Sequence, residues 1–467
     1  MKSKFKNLSI LTVSVFLVVL FLGGHAYTQS FKLPTYEKFT LENGLTVYLM
    51  EHHEVPLIYV SVVFPAGAVK DNGKYGLASL TADGLLFGTK NYTKKQIEEE
   101  LDYLGASYST YAEQETASVF MSFLNTDQDN VFPILKEIIM YPVFDQKEFE
   151  KRKKRLLMQL EQAKERPATV MSSYSRKFLY GDHVYGNPTS GTRSSVKKIS
   201  LDDLKAFYKT NYKPDASAIA VVGDFKTSKM KAAIKKLFRN WRFKGKSPEI
   251  QQKPPAAFKK SRLLLVNKED ATETRFMIGT WGIKRSNPDY VAIQVVNTIL
   301  GGRFTSWLND ELRVNAGLTY GAFSYFSTFK TSGTFFISSF TQTAKTVKAI
   351  DLALEVLDRL HTKGIDQKTL SSAKNYIKGQ YPPIYETAGS LANLLTSMFT
   401  YGFDESFIND FQENVDSMTV EKTKEIIKKY FPKDNLQFVL IGKASEIRDK
   451  VKKYGEIIEK EIKAVGF

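Results

Sequence analysis

Residues able to hold a hydrolytic metal ion are scarce in this chain. It has no cysteine and five histidines, which are His25, His52, His53, His183 and His361. A catalytic zinc ion takes about three converging protein ligands and a base close to the bound water. The rings of the adjacent His52 and His53 would diverge on a strand, His183 lies in a predicted turn, and His361 lies at a predicted helix end. The histidines therefore predict no metal site of their own.

A cation and a phenol seven residues apart offer a different chemistry. Arg313 and Tyr320 flank Gly317 in the second half of the chain. A fixed guanidinium and a phenolic O–H are donors suited to a carbonyl oxygen that is gaining negative charge. Taken alone, an arginine near a helix end and a tyrosine opening a strand are more often structural. The pair therefore needs its context before a role can be assigned.

The sequence contains no motif for binding nucleotides or nucleic acids. Gly88, Gly191 and the pair at 301–302 form neither G-x-G-x-x-G nor a P-loop, so they predict turns. The formal charge is +16. Basic runs such as 151–155 nevertheless follow a helical pattern beside glutamates, which indicates a solvated face. We expect no nucleic-acid partner.

The elements that must position these residues occur twice along the chain. Hydrophobic periodicity in the first half predicts strands and helices in a fixed order: strands at 45–49 and 58–64, helices at 76–86 and 94–104, strands at 107–111 and 117–124, and helices at 129–141 and 146–164. The second half repeats that order: a strand at 276–280, helices at 289–300 and 306–312, strands at 321–326 and 333–339, and helices at 344–360 and 367–380. The sequence predicts an α+β fold of two homologous, duplicated domains, each a mostly antiparallel sheet covered by helices.

The predicted domains are residues 34–243 and 262–467, joined by a linker at 244–261. Proline, lysine and other polar residues dominate the linker, which also contains Gly245 and has no apolar period of its own. Residues 1–26 read as a signal peptide, because three lysines precede a short apolar run that ends near small residues. The run is too short to favour a spanning helix. We therefore expect an exported chain, periplasmic or secreted, with no stable membrane anchor.

The segment from Gly76 to Thr89 gives the most specific signal. It reads Gly-Leu-Ala-Ser-Leu-Thr-Ala-Asp-Gly-Leu-Leu-Phe-Gly-Thr. It resembles the zinc-binding segment of the insulinase/pitrilysin-type metallopeptidases, Gly-Leu-Ala-His-x-x-Glu-His. Ser79 and Asp83 stand at the histidine positions, and Ala82 stands at the glutamate position. The family's third ligand, a glutamate on the next long helix, corresponds to Gln159, so the resemblance implies a degenerate zinc site.

The second half resembles the family's other signature, from Leu308 to Gly321. In family members an arginine and a tyrosine at this spacing enter a peptide chamber from the C-terminal domain and hold the substrate backbone. Arg313 and Tyr320 match them residue for residue. The resemblance covers nearly the whole chain, from Phe39 to Glu456.

The resemblance implies a metallopeptidase-like clamshell, in which two chains or two halves enclose a peptide. In heterodimeric bacterial members one chain has the zinc motif and the other has the arginine–tyrosine pair. This chain looks like the second kind. We expect no cofactor here, zinc in a partner subunit of the same family, peptide substrates, and no peptidase activity from the chain alone.

Two other functions remain open at this point. The chain could be a peptide-binding or structural assembly protein with no role in proteolysis. It could also be an active peptidase whose metal ligands the motif does not reveal.

Overall fold

The computed structural model describes residues 31–243, 245, 248 and 254–464. The predicted signal peptide and much of the predicted linker lie outside these residues. Within the described part of the chain, no helix is both long and apolar enough to cross a membrane. The structure contains two six-stranded sheets, one in each half.

The first half forms one sheet with helices packed against it. Its elements are β1 (Glu37–Thr40), β2 (Thr46–Glu51), β3 (Leu57–Phe64), α1 (Leu77–Gly84), α2 (Lys94–Tyr103), β4 (Ser107–Ala112), β5 (Ala117–Leu124), α3 (Gln128–Met140), α4 (Gln146–Ala163), α5 (Pro167–Tyr180), α6 (Arg193–Lys198), α7 (Leu201–Asn211), β6 (Ala218–Gly223) and α8 (Thr227–Phe238). The strand order is β1-β2-β6-β3-β5-β4. Only β2 and β6 run parallel within it.

The central strand β6 is apolar on both faces because both faces of the sheet are covered there. Every residue of β6, Ala-Ile-Ala-Val-Val-Gly, is buried, the near-continuous apolar run expected of a doubly covered strand. The edge strand β4 instead alternates exposed and half-buried residues. The sheet therefore has a buried centre and an open edge at β4.

The second half repeats this plan. Its elements are β7 (Arg262–Asn267), β8 (Glu273–Trp281), α9 (Tyr290–Asn297), α10 (Trp307–Asn309), β9 (Ala322–Thr328), β10 (Gly333–Gln342), α11 (Thr346–Thr362), α12 (Gln367–Ile384), α13 (Ala388–Tyr401), α14 (Ser406–Asn409), α15 (Phe411–Asp416), α16 (Val420–Tyr430), β11 (Gln437–Gly442), α17 (Ala444–Val451) and β12 (Glu456–Glu461). The strand order is β12-β7-β11-β8-β10-β9. The orders match except at the outer edge, where antiparallel β1 is replaced by parallel β12.

Each half covers the second face of the other half's sheet with one helix. Helix α5 packs against β8 and β11, and its Met171 and Tyr174 share a core with Met277. In return, α13 packs against β3 and β6 of the first sheet. The Ser61 hydroxyl of β3 donates to Asn393 Oδ1 of α13 at 3.0 Å. The halves are therefore joined through exchanged helices.

Residues near the N-terminus add a further connection between the halves. The ring of Phe31 stacks on Tyr385, with 5.3 Å between centroids. The N–H groups of Phe31 and Leu33 donate to the side chains of Gln412 and Asn409 at 2.9 and 2.8 Å. The chain then continues into β1 of the first sheet. Its first described residues thus bind the second half.

The predicted fold class and the duplication are confirmed. Two of the predicted helices differ from the observed ones. The helix predicted at 289–300 ends in a π-helical turn at Thr298–Gly302, and the helix predicted at 306–312 continues as a π-helical turn at Asp310–Asn315. The sequence patterns did not predict the exchanged helices α5 and α13. Toward its outer side the first sheet contains one parallel pair and the second sheet contains two.

Candidate functional site

A buried carboxylate fixes the start of α1, the helix with the degenerate motif. Asp71 accepts hydrogen bonds from the N–H groups of Gly76 and Ala78, both at 2.8 Å. Gly76 has φ +94°, and a Cβ there would lie 3.0 Å from the Cα of Gly191, so only glycine fits this turn. Burial raises the pKa of Asp71 to about 8, and the two N–H donors act against that shift.

The three motif positions on α1 split between its two faces. Ser79 and Asp83, four residues apart, are both partly exposed and lie on one face of the helix. Ala82 is fully buried in the core of the first half. The helix therefore presents two polar side chains, and a methyl group stands where a base would be.

The guanidinium of Arg152 connects two of the degenerate ligand positions. Its Nε lies 2.8 Å from Oδ2 of Asp83. Its Nη1 donates to Oε1 of Gln159, two turns further along α4, at 3.3 Å. Burial raises the pKa of the Asp83 carboxyl, whereas Arg152 and Arg155 lower it. A side-chain cation thus stands between the positions that match zinc ligands.

These donors do not fit a zinc ion. A serine hydroxyl, a carboxylate paired with arginine and an amide oxygen replace the nitrogen and carboxylate ligands that zinc prefers. Among the described residues, no three histidine, cysteine or acidic side chains cluster as a metal site would require.

Of the four described histidines, His52 and His53 are neighbours in the chain, and each of the four has its own local contacts. His53 pairs with Asp224, at 2.6 Å from Nδ1 to Oδ1. Nδ1 of His183 accepts from the Tyr185 N–H at 3.2 Å. Nε2 of His361 lies 2.7 Å from the Phe431 carbonyl oxygen. His52 follows β2, and its Nε2 is 4.0 Å from Glu54.

Arg313 and Tyr320 lie on the surface of the second half. Arg313 belongs to the π-helical turn Asp310–Asn315, and its guanidinium carbon lies 4.3 Å from the centre of the Phe304 ring. Tyr320 is 84% exposed. Gly317 lies between them with φ +59° and reverses the chain.

The backbone around this pair is held firmly although the side chains project outward. Glu311 is paired with Arg359 at 2.7 Å. The Thr341 hydroxyl donates to the Leu318 carbonyl at 2.7 Å, and the Ala322 N–H donates to Asn309 Oδ1 at 3.0 Å. The turn thus presents Arg313 and Tyr320 from a rigid base. Among the hydrogen bonds and ion pairs of the described residues, none involves either side chain.

Exposed apolar side chains surround the pair in the same segment. They are Phe304, Val314 and Phe323, which are 63%, 67% and 49% exposed. We call these three, with Arg313 and Tyr320, the 304–323 surface. Several exposed apolar groups in one segment are a feature of binding surfaces.

The two motif segments occupy equivalent edges of the two sheets. Helix α1 packs against β4, the edge strand of the first sheet. Tyr320 precedes β9, the edge strand of the second sheet. Within the described chain no hydrogen bond, ion pair or ring contact joins Ser79, Asp83 or Gln159 to Arg313 or Tyr320. The fold brings together Asp83 and Gln159, and it leaves the arginine–tyrosine pair apart from them.

Sequence reasoning missed Arg152. The run 151–155 predicted only a solvated helix face, and for Arg152 that prediction is wrong. The seven-residue spacing between Arg152 and Gln159 places both on one side of a helix. That spacing was the available signal, but the approach of Asp83 depends on packing between α1 and α4.

Two family models match the chain over most of its length. "Insulinase (Peptidase family M16)" matches residues 46–193, and "Peptidase M16 inactive domain" matches residues 198–377. A short third match, residues 427–458 to "Mother cell inhibitor of FtsZ", falls on elements of the second sheet and carries no argument.

Curated relatives share about a quarter of their residues with this chain. The "Non-peptidase homolog YmxG" of Helicobacter pylori is 25% identical over 91% of this chain and 98% of its own length. The "Uncharacterized zinc protease YmxG" of Bacillus subtilis is 24% identical over 76% of this chain and 85% of its own length.

Solved structures have the same fold. The peptidase M16 inactive domain from Pseudomonas fluorescens superposes with a TM-score of 0.82 at 27% identity, over 88% of this chain and 98% of that one. A protease from Helicobacter pylori superposes with a TM-score of 0.80 at 21% identity, over 88% of this chain and 100% of that one.

Proposed function

We propose that this chain, which belongs to the insulinase (M16) family of peptidases, has a role in proteolysis as a non-catalytic subunit. It completes the peptide chamber of a zinc endopeptidase whose zinc is held by a second chain of the same family. It contributes Arg313 and Tyr320 to the binding of the peptide.

The degenerate zinc positions support a non-catalytic role. Arg152 forms an ion pair with Asp83 and donates a hydrogen bond to Gln159, and the position of the base is a buried alanine. Hydrolysis of a peptide bond at zinc needs an open metal position and a base, and this helix supplies neither. One relative's name, "Non-peptidase homolog", agrees with this proposal, whereas several others are named zinc proteases without characterisation.

The observation that carries the proposal is the presentation of Arg313 and Tyr320. Tyr320 projects from a rigid turn into solvent at the edge of the second sheet, and Arg313 lies half-buried beside it over the exposed Phe304 ring. An arginine and a phenol with no internal hydrogen bond remain available for an external carbonyl oxygen. Donors fixed in advance stabilise the negative charge that develops on that oxygen during acyl transfer.

The single chain leaves this pair open to solvent, so a second chain must enclose the peptide. The 304–323 surface has the aromatic and arginine content that is enriched in protein interfaces. A partner that carries an intact zinc motif would meet this surface with its own first half. Zinc is then the partner's cofactor, and the substrate is a peptide.

The test is reconstitution with a zinc-motif chain of the same family, sought first in the neighbouring reading frame. We expect neither chain alone to cleave a fluorogenic peptide library and the mixture to do so. Arg313→Ala and Tyr320→Phe should each reduce kcat/KM of the mixture by about 10²-fold or more, the effect of removing one oxyanion donor. Co-purification of the two chains should be unchanged by Tyr320→Phe.

Matched variants separate this role from general damage. Tyr103 is 88% exposed and lies far along the chain, so Tyr103→Phe should leave kcat/KM unchanged. Arg448 pairs with Glu459 at the opposite sheet edge, and Arg448→Ala should also be silent. Full activity of Arg313→Ala and Tyr320→Phe mixtures would contradict the proposed contact.

The alternative is a peptide-binding or assembly protein without a role in proteolysis. The same exposed 304–323 surface favours it, because such a surface binds partners of many kinds. Complex formation with no gain of peptidase activity would support this alternative.

Export is part of the proposal. The basic and apolar N-terminal sequence supports it. Sequencing of the N-terminus of the chain purified from the periplasm or medium should find cleavage near residue 26. An uncleaved chain recovered only from the cytoplasm would contradict it.

A further inference from the structure

A small pocket of about 100 Å³ lies where the first turns of α5 meet the second sheet. Four of the side chains that line it can contact a polar group: Ser172 of α5, Arg275 of β8, Tyr325 of β9 and Ser338 of β10. Two methionines and an alanine form most of the remaining wall. Pockets that hold a whole small molecule are several times larger. This pocket therefore suits a single side chain of a longer ligand.

The pocket adjoins the 304–323 surface on one face of the second sheet. Phe323 of β9 pairs with Ser338 of β10, and Ser338 pairs with Met277 of β8. Residues paired directly across strands point to the same face, and neighbouring strands lie about 4.8 Å apart. Phe323, Ser338 and Met277 thus form one row that runs from the open edge of the sheet into the pocket.

The cation of the pocket is Arg275. Its guanidinium carbon lies 4.6 Å from the centre of the ring of Phe340, its partner on β10. An aromatic ring contacts the face of a guanidinium and leaves the N–H groups at its edge available to an acceptor. Across the part of the chain that the structure describes, the Arg275 side chain forms no ion pair and no hydrogen bond.

The lining of the pocket has one positive charge and no negative one. None of the eight residues that form it is an aspartate or a glutamate. Glu273 stands two residues before Arg275, on the same side of β8. It is exposed, and it forms no ion pair with any described residue. Arg275 therefore keeps its charge free for a ligand.

Three hydroxyl groups share the pocket with this guanidinium. Those of Ser172, Tyr325 and Ser338 make no hydrogen bond to the residues that the structure describes. Burial raises the pKa of Tyr325 to about 12, so its phenol keeps its proton at neutral pH and can donate. A guanidinium with hydroxyl donors beside it suits a carboxylate, whose two oxygens accept several hydrogen bonds.

We propose that this pocket binds the carboxylate of an aspartate or glutamate side chain in a peptide held at the 304–323 surface. Arg275 forms the ion pair, and Tyr325 and Ser338 donate to the same carboxylate. The row that begins at Phe323 leads the acidic side chain from the sheet edge into the pocket. A phosphate would bring nearly twice the negative charge to a single cation. The inference rests on the proposed peptide binding at this surface, and it requires neither a zinc-bearing partner nor cleavage.

Isothermal titration of the purified full chain with two peptides tests the proposal. One is acetyl-Ala-Phe-Glu-Ala-Phe-Glu-Ala-amide, and the other has glutamine at both glutamate positions. Because both ends are capped, the glutamate side chains are the only carboxylates. We expect the glutamate peptide to bind at least about tenfold more tightly than the glutamine peptide, the effect of one charged, hydrogen-bonded pair.

Variants of the lining show whether the preference comes from this pocket. Arg275→Gln should bring the two affinities to within about twofold, and Tyr325→Phe should lower their ratio by about threefold, since it removes one neutral donor. Arg275→Glu should prefer a lysine version of the peptide to the glutamate version, an exchange that a purely structural arginine would not produce. Arg239→Gln, at the exposed C-terminal end of α8 in the first half, is the matched control and should keep the wild-type ratio.

Three results would overturn the proposal. They are equal binding of the two peptides by the wild type, binding of neither peptide, and an unchanged ratio in Arg275→Gln. The wild-type comparison requires no variant to fold, and Tyr325→Phe gives a second measurement if Arg275→Gln is unstable.

The proposed role in proteolysis is measured separately, by cleavage in the reconstituted mixture. Cleavage by the mixture together with equal binding of the two peptides would remove the acidic subsite and leave the peptidase role intact. A preference for the glutamate peptide without any cleavage would keep the subsite and contradict the peptidase role.

Discussion

The guanidinium of Arg152 lies 2.8 Å from the carboxylate of Asp83, which the resemblance to the insulinase family aligns with a zinc-binding histidine. The same guanidinium donates a hydrogen bond to Gln159, which that resemblance aligns with a further ligand. The chain therefore differs from the family's motif in side-chain contacts as well as in residue types. An internal cation now connects these positions.

Restoring the zinc-ligand side chains alone should not restore zinc binding. We expect Ser79→His with Asp83→His and Gln159→Glu to bind zinc weakly while Arg152 is retained. A cation a few ångströms from Zn²⁺ costs several kcal/mol even at an effective dielectric constant of about 20. Adding Arg152→Ala should raise the zinc content to about one ion per chain, measured by elemental analysis after dialysis. The wild-type chain, measured alongside, should contain none. Stoichiometric zinc in the wild type would instead revive an active peptidase with unrecognised ligands.

The Arg152–Asp83 pair should contribute modestly to stability. Both side chains are partly exposed, so a double-mutant cycle of Arg152→Ala and Asp83→Ala should give a coupling of about 1 kcal/mol. Denaturant unfolding monitored by circular dichroism measures the coupling. The exposed pair Lys95–Glu99 is the comparison and should give a smaller value. A coupling near zero for Arg152 and Asp83 would show that the contact is not maintained in solution.

The arginine–tyrosine pair should be dispensable for folding. Tyr320 projects into solvent, and surface substitutions of this kind change stability by at most about 0.5 kcal/mol. Thermal unfolding of Tyr320→Phe and Arg313→Ala should therefore overlay that of the wild type. A marked loss of stability in either variant would indicate a structural role for that side chain.

Neither half should be stable alone. Helix α5 of the first half covers the second sheet, and α13 of the second half covers the first sheet. Separating the halves would therefore expose the apolar side of α5 on residues 31–243 and uncover the second sheet. We expect separately expressed halves to be insoluble or protease-sensitive, and co-expressed halves to assemble. In the intact chain Leu395→Ala, at a fully buried position of α13, should cost about 2–5 kcal/mol. Independent two-state folding of either half would contradict this interdependence.

Stability should depend on pH through Asp71. Its pKa is raised by burial to about 8, well above the value of about 3.9 in an unfolded chain. The folded state therefore binds this proton more tightly, so its contribution to stability is complete below about pH 4 and is lost as pH rises through about 8.

Asp71→Asn should flatten that dependence while losing part of the cap on α1, a cost of about 1 kcal/mol at low pH. Unfolding midpoints of variant and wild type at pH 5, 7 and 9 measure both effects. Asp129→Asn, exposed in the first turn of α3, should leave the slope unchanged. Equal slopes for Asp71→Asn and the wild type would contradict the assignment to Asp71.

Periodicity predicted several of the local elements with small errors in their bounds. Strand β5 has the predicted bounds, and the bounds of β3 and α2 differ from prediction by one residue. The π-helical turn around Arg313 was predicted as ordinary helix, because side-chain periodicity does not report which carbonyl each N–H contacts. The surface position of Tyr320 likewise depends on how Gly317 turns the chain.

The sequence by itself determined the duplication, the family frame at Gly76–Thr89 and the loss of its ligand residues, because these depend on residue type and on order along the chain. Tertiary structure alone decided that Arg152 stands between Asp83 and Gln159, that α5 and α13 cross between halves, and that Ser172 and Arg275 share a pocket. These contacts join residues from 69 to several hundred positions apart. Such pairs meet only when apolar faces of whole elements are buried together. The hydrophobic periodicity of a segment does not specify which other segment it packs against.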